Sequence, residues 1–161
     1  MIILGIDPGI ARVGWAALQT LQSKLTPLGF DCIETQKEKK PEERLSEVHD
    51  ALKKIIKSYH PDVMAVEDLF FATNAKTAIG VGQSRGVILL TAFECGVPVV
   101  SYSPLAIKRT ITGDGKADKK QVSRMVGMTL KLTNLPKLDD TTDAIAIAMT
   151  HAYSYRIKQL Q

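Results

Sequence analysis

Four acidic residues stand where charge is costly to bury or close to another charge. Asp7 closes the apolar run 2–6 and leads straight into Pro8-Gly9, while Glu67 closes a second apolar run, 63–66. Asp140 and Asp143 lie three residues apart in the stretch DDTTDAIAIAM. Each has an ordinary reading: Asp before Pro-Gly is a common turn residue, Glu at a strand end is solvated, and Asp in a first helical turn caps the helix and favours its dipole. Together they imply a different chemistry. Carboxylates gathered at one place repel one another unless cations sit between them, and Mg²⁺ prefers oxygen ligands while keeping waters that leave room for phosphate oxygens. Two such ions, with Mn²⁺ as a substitute, activate a water and stabilise the leaving oxygen of an in-line displacement. Asp68 and Asp139 adjoin the four and leave the ligand assignment open between neighbours. His49, His60 and His151 are too scattered for a zinc site, and Cys32 and Cys95 read as small buried residues outside any disulfide framework.

The elements that must position these acids follow from periodicity. Residues 2–7, 13–20 and 28–35 read as strands, joined as hairpins by short connections. Leu45, Val48, Leu52, Ile55, Ile56 and Tyr59 recur at helical spacing over 41–59, with Pro41, Glu42 and Glu43 suited to the first turn. A strand over 62–68, a helix over 74–94, a strand over 97–102, helices over 104–111 and 118–131, and a last helix from about Asp140 complete the chain. Three antiparallel strands followed by two added through helical crossovers is the ribonuclease H-like order. The expected fold is therefore α/β, one domain over 1–161 with a five-stranded mixed sheet flanked by helices. If the first and fourth strands are parallel neighbours, Asp7 and Glu67 emerge at the same sheet end, where open α/β sheets place their sites. The last helix can then carry Asp140 and Asp143 over that end.

Charge distribution points to a polyanionic partner. The net charge is +4 with a pI near 9.1. Residues 101–139 carry eight Lys/Arg against three Asp, leaving the rest of the chain at −1. Lys108, Arg109, Lys116, Lys119, Lys120 and Arg124 belong to this segment and are its candidate contacts to such a partner. The chain opens without a signal-peptide pattern, so a cytoplasmic location is expected. Within 74–94, Ala75, Ala78, Gly82 and Gly86 fall at steps of three or four. Such a small-residue face permits close approach either to the sheet or to a second copy of the chain.

Four stretches carry a resemblance to a known family: GIDPGIARVGWAAL at 5–18, VEDLFFATNAKTAIGVGQSRGVIL at 66–89, TGDGKADKKQV at 112–122 and DDTTDAIAIAMTH at 139–151. In this order and spacing the chain resembles the RuvC-type crossover-junction endodeoxyribonucleases, the bacterial Holliday junction resolvases. The resemblance implies a ribonuclease H-like fold, a homodimer and Mg²⁺-dependent symmetric nicking of four-way DNA junctions in recombination and repair. It also implies cooperation with the RuvA–RuvB branch-migration complex. It assigns the metal-binding acids to Asp7, Glu67, Asp140 and Asp143, and basic roles near the scissile strand to Lys108 and Lys119. Phe70, in the loop after Glu67, is implied as the aromatic that wedges against junction bases. The departures are small: Ser84 where Ala is usual, Thr141 and Thr142 between the final aspartates, and Asp68 as an extra acid. Two other readings stay open on residues alone, a non-catalytic junction-binding module and an actin-like nucleotide phosphotransferase.

Overall fold

Alternation along the first strand sets the architecture, because successive side chains of a strand point to opposite faces. The computed structural model describes residues 1–22, 24–68, 75–134 and 136–159, with backbone alone at 75–77 and 156–159. Its strands are β1 (Ile2–Asp7), β2 (Arg12–Leu21), β3 (Lys24–Glu34), β4 (Val63–Glu67) and β5 (Val99–Tyr102). Its helices are α1 (Pro41–Tyr59), α2 (Ala75–Glu94), α3 (Pro104–Thr112), α4 (Lys119–Leu130) and α5 (Asp139–Gln159). The sheet order is β3-β2-β1-β4-β5, antiparallel among the first three strands and parallel from β1 through β4 to β5. This is the ribonuclease H-like arrangement that the element order predicts.

Leu4 and Ile6 of β1, with Met64 and Val66 of β4, pack on one side against Val48, Leu52 and Ile56 of α1 and Ile88 and Ala92 of α2. Ile3 of β1, with Val63 and Ala65 of β4, packs on the other side against α3, α4 and α5. Asp7 continues the Ile3–Gly5 parity and Glu67 the Val63–Ala65 parity, so both acids belong to the α5 side. That side is built from small residues. Gly5 stands in register with Ala16 and with Ala65, and Gly14 with Asp7. A Cβ on Gly5 would run into the Ala144 carbonyl and Ala148, and one on Gly14 into the Asp140 carbonyl. The backbone of α5 therefore lies directly on the sheet, its Ala144 and Ala148 wholly buried.

One boundary differs from expectation by more than two residues. β3 starts at Lys24 instead of 28, because Pro27 reads as a strand breaker in sequence but is tolerated on a sheet edge. Leu28 is the extra residue of a bulge, with Ala17 opposite Gly29 and Leu18 opposite Pro27. Among the described side chains, the small-residue face of α2 does not cover the sheet. Ser84, Ile88 and Ala92 do that, whereas Gly86 is exposed, with open space among the described residues where a Cβ would stand, and Ala78 and Gly82 are half-buried. Among the described residues, no helix is long and apolar enough to cross a membrane.

The seating of α5 is testable. In Gly5→Ala the added methyl must displace helix backbone, an overpacking that costs about 1–3 kcal/mol. At about 2–4 °C per kcal/mol for a chain of this size, thermal unfolding should begin several degrees lower. An unchanged midpoint would mean that α5 does not rest on Gly5.

Candidate active site

Asp7 and Glu67 end neighbouring parallel strands, one position beyond the Ile6–Val66 register pair. The turn after Asp7 is held from two sides. Ser84 Oγ of α2 donates to the Gly9 carbonyl at 2.7 Å, and Thr35 Oγ1 donates to the Ile10 carbonyl at 2.6 Å. Gly9 is required there, since a Cβ would strike the Arg12 carbonyl. Beyond Glu67, the Asp68 N–H donates to the Tyr102 carbonyl at 2.9 Å. The Tyr102 hydroxyl in turn lies 2.9 Å from His151 Nδ1 on α5.

Helix α5 starts at Asp139, over Gly14, and so presents Asp140 and Asp143 to Asp7 from its first turns. Helix α4 supplies the opposing charge. Asp118 caps it in a reciprocal box, accepting from the Gln121 N–H while Gln121 Oε1 accepts from the Asp118 N–H, both at 2.8 Å. This fixes the backbone at Lys119, whose ammonium reaches Asp143 Oδ2 at 3.1 Å. Arg12, across the turn from Asp7, approaches Asp140 Oδ2 at 3.4 Å.

Electrostatics shows which groups face one another. Burial, then the charges of Glu67, Asp143 and Asp140, push the Asp7 carboxyl up to about 8, against the pull of Lys119. Burial and Asp143 push Glu67 up to about 7, while Lys119 and Lys108 draw it down. Asp143 is raised by burial despite Lys119. For Lys119, burial acts downward, but the Asp143 hydrogen bond and the surrounding acids outweigh it and raise the group. Asp7, Glu67, Asp140 and Asp143 are thus one interacting set, with the charge of Lys119 acting on Asp7, Glu67 and Asp143 and that of Lys108 on Glu67.

Among the described residues, no three His, Cys, Asp or Glu side chains stand together in an assembled metal cage. Asp143 and Asp140 are turned toward Lys119 and Arg12 instead. The donor set nevertheless fits a hard divalent cation: oxygen donors only, partly buried, whose mutual repulsion a divalent charge would relieve. Asp68 is directed elsewhere, its carboxylate held by Arg85 Nη2 at 2.8 Å.

Of the other sequence candidates, Lys108 is half-buried, and Arg109, Lys116, Lys120 and Arg124 are exposed on α3, α4 and the segment between them. None of these four takes part in an ion pair among the described residues. Phe70 lies outside the described residues. Cys32 and Cys95 are both half-buried rather than buried, and burial with the Asp140 charge pushes the Cys32 thiol up to about 11. Arg12 and Arg85 escaped the sequence reading, because a cation's tertiary partner leaves no local pattern. Only the place of Arg12, five residues after Asp7, hinted at its role. A groove of about 570 Å³ lined by Lys54, Ile56, Lys57, His60 and Val97 lies at the opposite sheet end, away from the acids.

Against this geometry stand the comparisons with known proteins. The family model described as crossover junction endodeoxyribonuclease RuvC matches residues 3–151. The chain belongs to the RuvC family. A RuvC relative, the crossover junction endodeoxyribonuclease of Desulforamulus reducens, is 44% identical over 94% of this chain and 93% of its own. Thermus thermophilus RuvC in complex with a Holliday junction substrate is 34% identical, with a TM-score of 0.93 over 98% of this chain and 96% of its own. At 17% identity and a TM-score of 0.64, the yeast mitochondrial Holliday junction resolvase Ydc2 shares the fold.

The raised carboxyls predict how pH acts on stability. The native Asp7 holds its proton up to about pH 8, whereas an unfolded Asp releases it near 4. The native state therefore binds more protons between these values, and stability falls as pH rises through that window. In chelator, Asp7→Asn should melt several degrees above the parent at pH 8, with the gap shrinking toward pH 5. Parallel melting curves at the two pH values would contradict the burial of charge at Asp7.

Proposed function

We propose that the chain is a structure-selective endonuclease that resolves four-way DNA junctions by symmetric nicking of two strands in recombination and repair. In a chain of the RuvC family, the observation that carries this reading is that β1, β4 and α5 bring four carboxylates near enough for three of them to raise the proton affinity of Asp7, beside the basic start of α4. Asp7, Glu67, Asp140 and Asp143 are assigned as the acids that hold Mg²⁺, two ions per subunit, with Mn²⁺ as a substitute. Bound there, the metal supplies an activated water and positive charge for the leaving oxygen.

The chain's own residues do the rest. Lys119 neutralises the acids and, with its side chain 71% exposed, is free to swing toward a phosphate oxygen when its carboxylate partner is otherwise engaged. Lys108 stands near Glu67 on the α3 side. Arg109, Lys116, Lys120 and Arg124 extend this positive surface outward, as expected for contacts that fix a phosphate backbone without reading its sequence.

A junction offers two strands to cut, which calls for two copies of the site. The outward face of α2 presents Ile79, Leu90 and Phe93, exposed by 64%, 53% and 82%, around Gly82 and Gly86. We assign this face to a two-fold contact between copies, its glycines allowing close helix approach. Residues 1–161 then act as one nuclease domain in the cytoplasm. A RuvA–RuvB branch-migration complex is proposed as partner on family membership.

On a labelled synthetic four-way junction, Mg²⁺ should produce paired, symmetric, ligatable nicks. Chelator or Asp7→Asn should lower nicking at least about a thousandfold while junction binding persists. Binding without nicking under every metal would favour a non-catalytic module. Phe93→Asp should shift the light-scattering mass to that of one chain; a mass still equal to two would place the contact elsewhere.

A further inference from the structure

The parallel ladder between β1 and β4 ends at the Ile6–Val66 pair, just short of the two acids that the site requires. From there each strand follows its outer neighbour: Asp7 pairs with Gly14 of β2 and Glu67 with Tyr102 of β5. The distance between the two acids is thus left to something outside the ladder. Two adjacent residues of α2 reach both strand ends. Ser84, fully buried, donates from Oγ to the Gly9 carbonyl, two residues past Asp7, at 2.7 Å. Arg85 donates from Nε to the carbonyl of Glu67 itself at 3.3 Å. Its Nη2 donates to Asp68 Oδ1 and to Ser101 Oγ, each at 2.8 Å. One turn earlier, the Cα of Gly80 faces the side chain of Ile10, seating the helix against the same turn.

We propose that α2 acts as a spacer between the two strand-end carboxylates, with Ser84 and Arg85 as its positioning residues. This deepens the reading of the acids as a metal site and rests on it. Neighbouring residues of a helix have a fixed separation, so two carbonyls bonded to them are held at a fixed separation as well. The guanidinium suits this task because its rigid fork serves three acceptors at once on β4, after β4 and on β5. A lysine could reach one of them and leave the others unmatched. Asp68 has a defined part here. It anchors Arg85 and is thereby kept out of the cation's ligand set.

Mg²⁺ demands near-ideal octahedral geometry, so its affinity reports the spacing of its ligands. Outer partners that orient metal ligands typically contribute about 10–100-fold in affinity. Titration calorimetry with Mg²⁺ alone should therefore show Ser84→Ala and Arg85→Lys each binding about 10–100-fold more weakly than the parent. Asp68→Asn, which leaves the Glu67 carbonyl bond in place, should lose less than Arg85→Lys. Junction affinity in chelator should stay within about twofold, and nicking should lose kcat with KM unchanged. Should Arg85→Lys fail to fold, Ser84→Ala decides alone.

Two results would overturn the proposal in different ways. If both variants bind Mg²⁺ as the parent does while Asp7→Asn abolishes binding, the metal site stands and α2 is not its spacer. If Asp7→Asn also binds Mg²⁺ as the parent does, the carboxylate site fails and the spacer with it.

Discussion

Everything at the site depends on how closely α5 lies on the sheet. A helix packed through ordinary side chains is held off the sheet by their length, but Gly5 and Gly14 remove the side chains that would do so here. Ala16 and Ala65 flank Gly5, and Ala144 and Ala148 come down from the helix, so the contact is nearly backbone on backbone. The first turn of α5 then lands over the strand end where Asp7 sits. A pair of larger residues at these two positions would raise the helix and pull Asp140 and Asp143 away from the strand-end acids.

That close seating also creates the main electrostatic liability. Three elements bring four acids together in partly buried surroundings, and the proton affinities of Asp7 and Glu67 rise as a result. The fold offsets this with cations placed by separate local devices. The Asp118–Gln121 capping box fixes Lys119, and Arg12 opens β2 within 3.4 Å of Asp140. A structure that stores unfavourable charge at one point and supplies it with exchangeable partners is suited to accepting a stronger cation there. This is the pattern expected where binding, rather than stability, has shaped the residues.

Much of this was legible in the chain. The apolar runs ending on Asp7 and Glu67 bring those two acids to one sheet end once the first and fourth strands are parallel neighbours, as they are, and the three-residue spacing of Asp140 and Asp143 puts them on one helix face. The proline in β3 concealed its first residues because propensity does not know which strand lies at an edge. The small-residue spacing of α2 does not mark which of its positions turn inward; Ser84, Ile88 and Ala92 do, and they share no residue type that periodicity would single out. Arg12, Arg85 and the outward turn of Asp68 were hidden for a common reason. Each depends on a partner distant in sequence, and single charged residues carry no period.

The bulge and proline of β3 have a consequence for how copies of this chain meet. An eleven-residue edge strand would ordinarily expose a row of free amide and carbonyl groups on which a second sheet could grow. Pro27 removes one donor from that row, the bulge at Leu28 bends it, and Lys24, Asp31 and Glu34 add charge along it. At the other margin, β5 is only four residues long, and Ser101 is already engaged by Arg85. With both margins blunted, sheet-to-sheet polymerisation is disfavoured, and a concentrated solution of the protein is steered away from strand-mediated aggregates.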